Sequence, residues 1–152
     1  MRLLSLLLLV LFFITACGHE GTGPSDPLVG NWEADPRCLW DCWFTVRSVT
    51  DPTDSLNLTN QLSARFELDM RGDGTYQVKL SAPGATAYQD AGRYTAAGSL
   101  LVLAGAESAD SLDYQLTTPL LHLTFRNRLA LLDLNGDGVA DTVSVEATLK
   151  KF

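Results

Sequence analysis

An all-β domain, built as an antiparallel up-and-down barrel of about eight to ten strands, is the fold that three observations predict. From residue 28 onward apolar and polar side chains alternate with period two. Turn residues interrupt the alternation at short intervals. No stretch shows convincing helical periodicity, a turn over residues 35–41 apart. With mostly short sequential connections, closing the sheet into a barrel is the simplest way to leave no open edge. A β-sandwich is the alternative.

Ahead of that domain lie two segments of different character. Residues 1–16 carry one basic residue, Arg2, then a Leu, Val, Phe and Ile run, then the small residues Thr15 and Ala16. This is secretory signal architecture, and the run falls short of the roughly 20 residues that span a bilayer. Ile14-Thr15-Ala16-Cys17 resembles the lipobox of bacterial lipoproteins. The resemblance implies cleavage before Cys17 and covalent lipid on that cysteine, and two or more acyl chains hold a protein stably on a membrane. The chain is then a protein of the cell envelope. Gly18 after the cysteine favours the outer membrane, facing periplasm or surface, in a cell with two membranes. Residues 17–27 hold the lipidated cysteine and a Gly- and Pro-rich tether, in which His19 is a solvated residue and not a ligand.

The remaining domain, residues 28–152, justifies its strands in order. Residues 28–34 and 43–49 open it, and the polar stretch 50–60 reads as a long loop. The clearest hairpin follows: Ala64, Phe66, Leu68 and Met70 share one face, Gly72-Asp73-Gly74 turns the chain, and Tyr76, Val78 and Leu80 return. Residues 71–73 spell Arg-Gly-Asp, yet turn chemistry alone explains them. Loops at 81–87 and 105–111 bracket strands at 91–95 and 100–104. Strands at 112–117 and 120–126 meet at Pro119, and residues 129–132 pair with 142–149. Large side chains such as Phe66, Met70, Tyr76, Leu101, Leu103, Tyr114 and Phe125 are candidates to fill the interior.

Charge and cysteines narrow the partners. Beyond the signal segment there are 10 Lys and Arg against 18 Asp and Glu, net −8. Such a balance argues against nucleic acid or anionic lipid and favours a solvated acidic surface or divalent cations. With Cys17 assigned to lipid, Cys38 and Cys42 remain as a pair in an oxidising compartment. Residues four apart on a strand are roughly 13 Å apart, so a bond between them requires a turn. A redox or metal pair is the other reading, but the spacing is not C-x-x-C and no other Cys or His lies near.

Gly30-Asn31-Trp32, on the first strand, resembles the G-x-W opening of the lipocalins and their bacterial relatives. Asp113-Tyr114 resembles the second motif of that family faintly, with Leu112 in place of Thr. The resemblance implies that Trp32 closes one end of the barrel and that a basic residue of a late strand, Arg126 or Arg128, packs over it. It also implies an interior that accepts a small apolar or amphipathic ligand.

The sharpest local motif is Asp133-Leu134-Asn135-Gly136-Asp137-Gly138-Val139-Ala140-Asp141. Calcium needs oxygen donors at alternate positions and a glycine at the bend. Asp133, Asn135, Asp137, the Val139 carbonyl and Asp141 supply them, in a pattern that resembles the loops of dockerins and β-propeller calcium repeats. Ser144 stands where an EF-hand has its bidentate Glu, so the expected affinity is weak, about 10⁻⁴–10⁻³ M, and the role structural. A Gly-rich hairpin turn without metal is the competing reading.

No catalytic constellation emerges. His122 is the one histidine of the domain and lies opposite Leu121, Leu123 and Phe125, with no Ser or Cys nucleophile indicated. The sequence therefore points to a non-enzymatic binding module for a small ligand. The alternative is a structural or protein-interaction lipoprotein with a filled barrel, for which Trp40 and Trp43 are the suspected contact patch, unless one or both plug an end of the barrel. Asn57-Leu58-Thr59 fits a glycosylation pattern and is read as chance.

Overall fold

Eight strands joined as a simple antiparallel meander close on themselves in the computed structural model, which describes residues 26–38, 41–85, 87–106, 108–126 and 129–152, with the backbone alone for 129–132. They are β1 (Gly30–Ala34), β4 (Arg65–Met70), β5 (Thr75–Ser81), β6 (Tyr88–Ala97), β7 (Leu100–Ala104), β8 (Ala109–Thr117), β9 (Leu120–Phe125) and β11 (Asp141–Lys151). Each pairs with the next, and β11 returns to β1 through Trp32 opposite Lys151, so the expected barrel is present. The signal segment, Cys17, His19, Trp40 and Arg128 lie outside the described residues.

Two further strands attach to β11, whose 11 residues exceed what the barrel uses, and a third attaches to one of them. β2 (Trp43–Ser48) continues along the edge that β1 occupies, and β10 (Leu129–Leu132) continues along the edge of β9. β3 (Ser55–Asn57) pairs with β2. The excursion between β1 and β2 contains a 3-10 turn, Pro36–Cys38, and the disulfide Cys38–Cys42 with Cα atoms 5.5 Å apart.

The polar stretch 50–60 departs from the loop expectation. It contains β3 and the start of a helix, Leu58–Leu62. A single turn has no periodicity to read, and end chemistry makes it. The Asn57 side chain accepts from the Asn60 N–H at 2.9 Å, and Ser63 ends the helix with φ 52°. These are the N-cap and left-handed C-terminal devices that satisfy orphan backbone groups. Thr59 is buried and accepts the Phe44 N–H, so Asn57-Leu58-Thr59 is cap and docking chemistry.

Period-two alternation places the core inside the barrel. Trp32, Leu68, Met70, Tyr76, Val78, Tyr94, Leu101, Leu103, Leu112, Leu121, Leu123, Ala147 and Leu149 are buried together, with Tyr114 and Phe125 half-buried against them. The barrel is thus largely filled by its own side chains, as small barrels can be.

Candidate functional site at the barrel mouth

The two ends of the barrel are built differently. At one end Leu28 and Trp32 are buried, and the Trp32 indole N–H donates to the Leu28 carbonyl at 2.7 Å. Lys151 Nζ lies 5.1 Å from the centre of the Trp32 ring and donates to the Pro27 carbonyl at 3.3 Å. An ammonium over an indole face is a cation–π contact. Gly30 makes room for it: φ is +143°, and a Cβ there would lie 2.5 Å from the Lys151 Cε. The Tyr94 hydroxyl donates to the Arg71 carbonyl at 3.0 Å and adds a further tie. This end is closed.

Arg126 does not supply the covering cation. It follows β9 at the opposite end, exposed, paired with Asp113 of β8 on the outer surface. Lys151 supplies it because it lies two residues beyond Leu149, on the inward face of β11. Counting by twos from Val143 through Leu149 reaches Lys151, and that was the available signal.

The other end holds a small cup. Phe66, Tyr76, Tyr88, Asp90, Asp110 and Phe125 are among the side chains around a cavity of about 60 Å³, floored by Leu103, Leu112 and Leu123. Register explains the two carboxylates: Asp90 lies opposite inward Val78, and Asp110 opposite inward Leu103. The Tyr76 hydroxyl donates to Asp90 at 2.6 Å. Burial, first, and then Asp90 push the Tyr76 phenol well above its ordinary range, so it stays a donor. A Cβ on Gly105, in the β7–β8 turn, would collide with the Asp90 carboxylate, so the glycine lets Asp90 lie against the turn. Tyr88 is 56% exposed and forms part of the rim. Both aspartates fall just outside the strands expected at 91–95 and 112–117, so their inward direction was not read.

The other candidate residues are scattered. His122 Nδ1 lies 2.9 Å from the Thr148 hydroxyl on the outer face, away from the cup. Trp43 is half-buried beside Thr45, Arg47, Ser55 and Asn57 in a shallow outer groove. In the 133–141 loop, Asp133 accepts the N–H groups of Gly136, Asp137 and Gly138 at 2.7, 3.1 and 2.8 Å. Asn135 accepts from Asp137, Asp137 from Val139, and Asp141 from Leu134. Among the described residues no three Asp, Glu, His or Cys side chains gather as a metal site. The loop's oxygens hold its own backbone: Asp133 Oδ1 accepts two N–H groups and is fully engaged, whereas Asp133 Oδ2, Asn135 Oδ1, Asp137 Oδ1 and Asp141 Oδ2 each accept one of these bonds and keep a second lone pair.

Outside the barrel, Asp35 is the buried end of a charge cluster. It accepts the Arg37 N–H at 2.6 Å and its Nε at 2.9 Å, and also pairs with Arg37 Nη2, while Arg65 Nε lies 3.8 Å away. The Arg37 hydrogen bonds hold the Asp35 carboxyl below the ordinary 3.8 despite its burial. Arg65 pairs with Glu33 and Glu67 at 2.9 and 3.1 Å. This network braces the outside of β1 and β4. Comparison with protein-family models and with curated proteins finds no match to the chain.

Proposed function

We propose that the protein is a lipid-anchored, non-enzymatic component of the cell envelope that binds an amphipathic molecule by one end, at the barrel mouth. The supporting observation is the contrast between a closed end sealed by Trp32 and Lys151 and a cup of about 60 Å³ at the other. Pockets that enclose a whole drug-sized ligand run to about 300–1,000 Å³. An entire apolar ligand therefore does not fit inside, whereas the terminus of a longer one does. The anchor itself rests on residues 14–17, whose resemblance to a lipobox carries the lipid on Cys17, and the 133–141 loop is read as a weak structural calcium site.

The filled interior also favours a second reading, a lipoprotein that acts through its outer surface on an envelope protein. Native mass spectrometry of the domain from residue 18, exported unlipidated into an oxidising compartment, separates the two. A stoichiometric organic adduct is expected for mouth binding. A bare polypeptide that takes up nothing from a membrane-lipid extract would turn the assignment to the surface reading.

A further inference from the structure

We infer that the shallow outer groove over β2 and β3 is a second binding site, one that seats a single neutral sugar ring against Trp43 and Thr45. The inference stands apart from the mouth reading, since none of its residues lines the cup. Alternation builds it. Phe44, Val46 and Ser48 turn into the core, so Trp43, Thr45 and Arg47 turn outward, and register sets Asn57 and Ser55 of β3 beside Thr45 and Arg47. Thr45 is the decisive side chain. It is only 7% exposed, its hydroxyl has no hydrogen-bond partner among the described residues, and the surface it keeps is part of the groove lining. A hydroxyl withdrawn from water without a partner costs free energy, and a ligand hydroxyl that reaches it recovers the bond. The half-buried Trp43 has an indole N–H that also lacks a partner among the described residues, although such groups usually find one when buried.

The mixture of surfaces sets the ligand class. The indole offers a broad apolar face, and around it stand two hydroxyls, the Asn57 amide and the Arg47 guanidinium. Arg47 gives one N–H to the Pro52 carbonyl at 2.9 Å and pairs with no carboxylate among the described residues, so further donors remain. Asn57 accepts the Asn60 N–H through Oδ1, which leaves its amide N–H groups as donors. A purely apolar ligand would cover the indole and strand these groups, and an open-chain polyol would meet them and miss the indole. A pyranose has C–H groups on one face and hydroxyls, each donor and acceptor, around its edge. At about 270 Å³ the groove lies just below the range of about 300–1,000 Å³ that takes drug-sized ligands, so it accommodates one ring. A peptide strand added to β3 fits less well. β3 has 3 residues, and the Asn57 N–H is already taken by Gln61 Oε1 at 2.7 Å.

The test uses the mature lipidated protein in nanodiscs of zwitterionic lipid, with empty discs subtracted. It is titrated separately with the methyl glycosides of glucose, galactose, mannose and N-acetylglucosamine and followed by amide NMR shifts. Sorbitol, which has the hydroxyls without the ring, and cyclohexanol, which has a ring without the set of hydroxyls, are the comparison probes. At least one glycoside is expected to move residues 43–47 and 55–57 in a saturable way, binding about tenfold more tightly than either comparison probe. Trp43→Ala is expected to weaken it about tenfold and Trp43→Phe less, as for an aromatic anchor. Thr45→Val, which keeps the shape and removes the hydroxyl, is expected to weaken it about fivefold, and it reads the site even if Trp43→Ala does not fold. Thr124→Val, the same change on the exposed outer face of β9, is expected to leave it unchanged. An equal response to cyclohexanol overturns the sugar and leaves an apolar patch, and an equal response to sorbitol overturns the ring. A loss in Thr124→Val as large as in Thr45→Val overturns the groove as the site. No saturable response from any of the four glycosides overturns the inference and returns Trp43 to the protein-contact reading. None of these outcomes bears on the mouth, whose test is the organic adduct in the mass spectrum.

Discussion

At the residue scale, Gly30 and Asp35 each hold a position that one other side chain depends on. Gly30 combines a positive φ with the space that Lys151 occupies over Trp32. Gly30→Ala is expected to cost about 1–3 kcal/mol, the usual range for such backbone strain, with the larger value if Lys151 is also displaced. The urea midpoint reads the cost. Asp35 makes a prediction with a sign. Its folded pKa lies below the ordinary value, so its stabilisation is full above about pH 4 and disappears as pH falls through the lowered value. The stability gap between wild type and Asp35→Asn is expected to shrink between pH 5 and pH 2. A gap that stays constant across that range would mean the carboxylate's charge contributes nothing to folding.

At the scale of elements, strands were legible wherever both faces alternate cleanly, and elements made by end chemistry were not. The β4–β5 hairpin matches the alternation of Phe66, Leu68 and Met70 with Tyr76, Val78 and Leu80 residue for residue. β6 is longer than its expected core because Tyr88, Gln89 and Asp90 pair as strand while carrying polar or exposed side chains that resemble a loop. The cup was missed for the same reason, since its two aspartates sit where sheet register, and not hydropathy, decides which way a side chain points. The closing cation was misplaced because a late basic residue had to be chosen without knowing that β11 runs on to Lys151. The 133–141 loop supports a prediction of its own. Asp133 already gathers three backbone N–H groups, so the loop is folded before any cation arrives. At a dissociation constant of about 10⁻⁴–10⁻³ M, 10 mM calcium is expected to stabilise by about 1.4–2.7 kcal/mol. Thermal unfolding with calcium, magnesium and chelator checks this, and an Asp137→Ala variant is expected to lose the response.

At the scale of the whole molecule, the two ends of the barrel acquire a direction from where the described chain begins. Asp26, Pro27 and Leu28 sit at the closed end, tied by the Trp32 indole, the Lys151 ammonium and the Asp26 carboxylate, which accepts the Leu28 N–H at 3.0 Å. The proposed lipid on Cys17 joins the domain at that end, and the cup opens at the other. Ten residues, 18–27, separate Cys17 from the domain, and a Gly-rich chain of that length would have a mean end-to-end distance of about 16–19 Å. Because the chain enters the domain at the closed end, that end is expected to stay nearer the membrane on average, with the mouth turned toward the aqueous side. Two single-cysteine variants of the lipidated protein read this directly: Ser99→Cys in the β6–β7 turn at the closed end and Ala85→Cys in the β5–β6 turn at the mouth. With a fluorophore on each and a quencher on the lipid headgroups of vesicles, the label at 99 is expected to be quenched more strongly than the label at 85. Equal quenching would mean that the domain tumbles freely on its tether, and stronger quenching at 85 would place the cup against the membrane, where the proposed amphipathic ligand would have to be a lipid of the same bilayer.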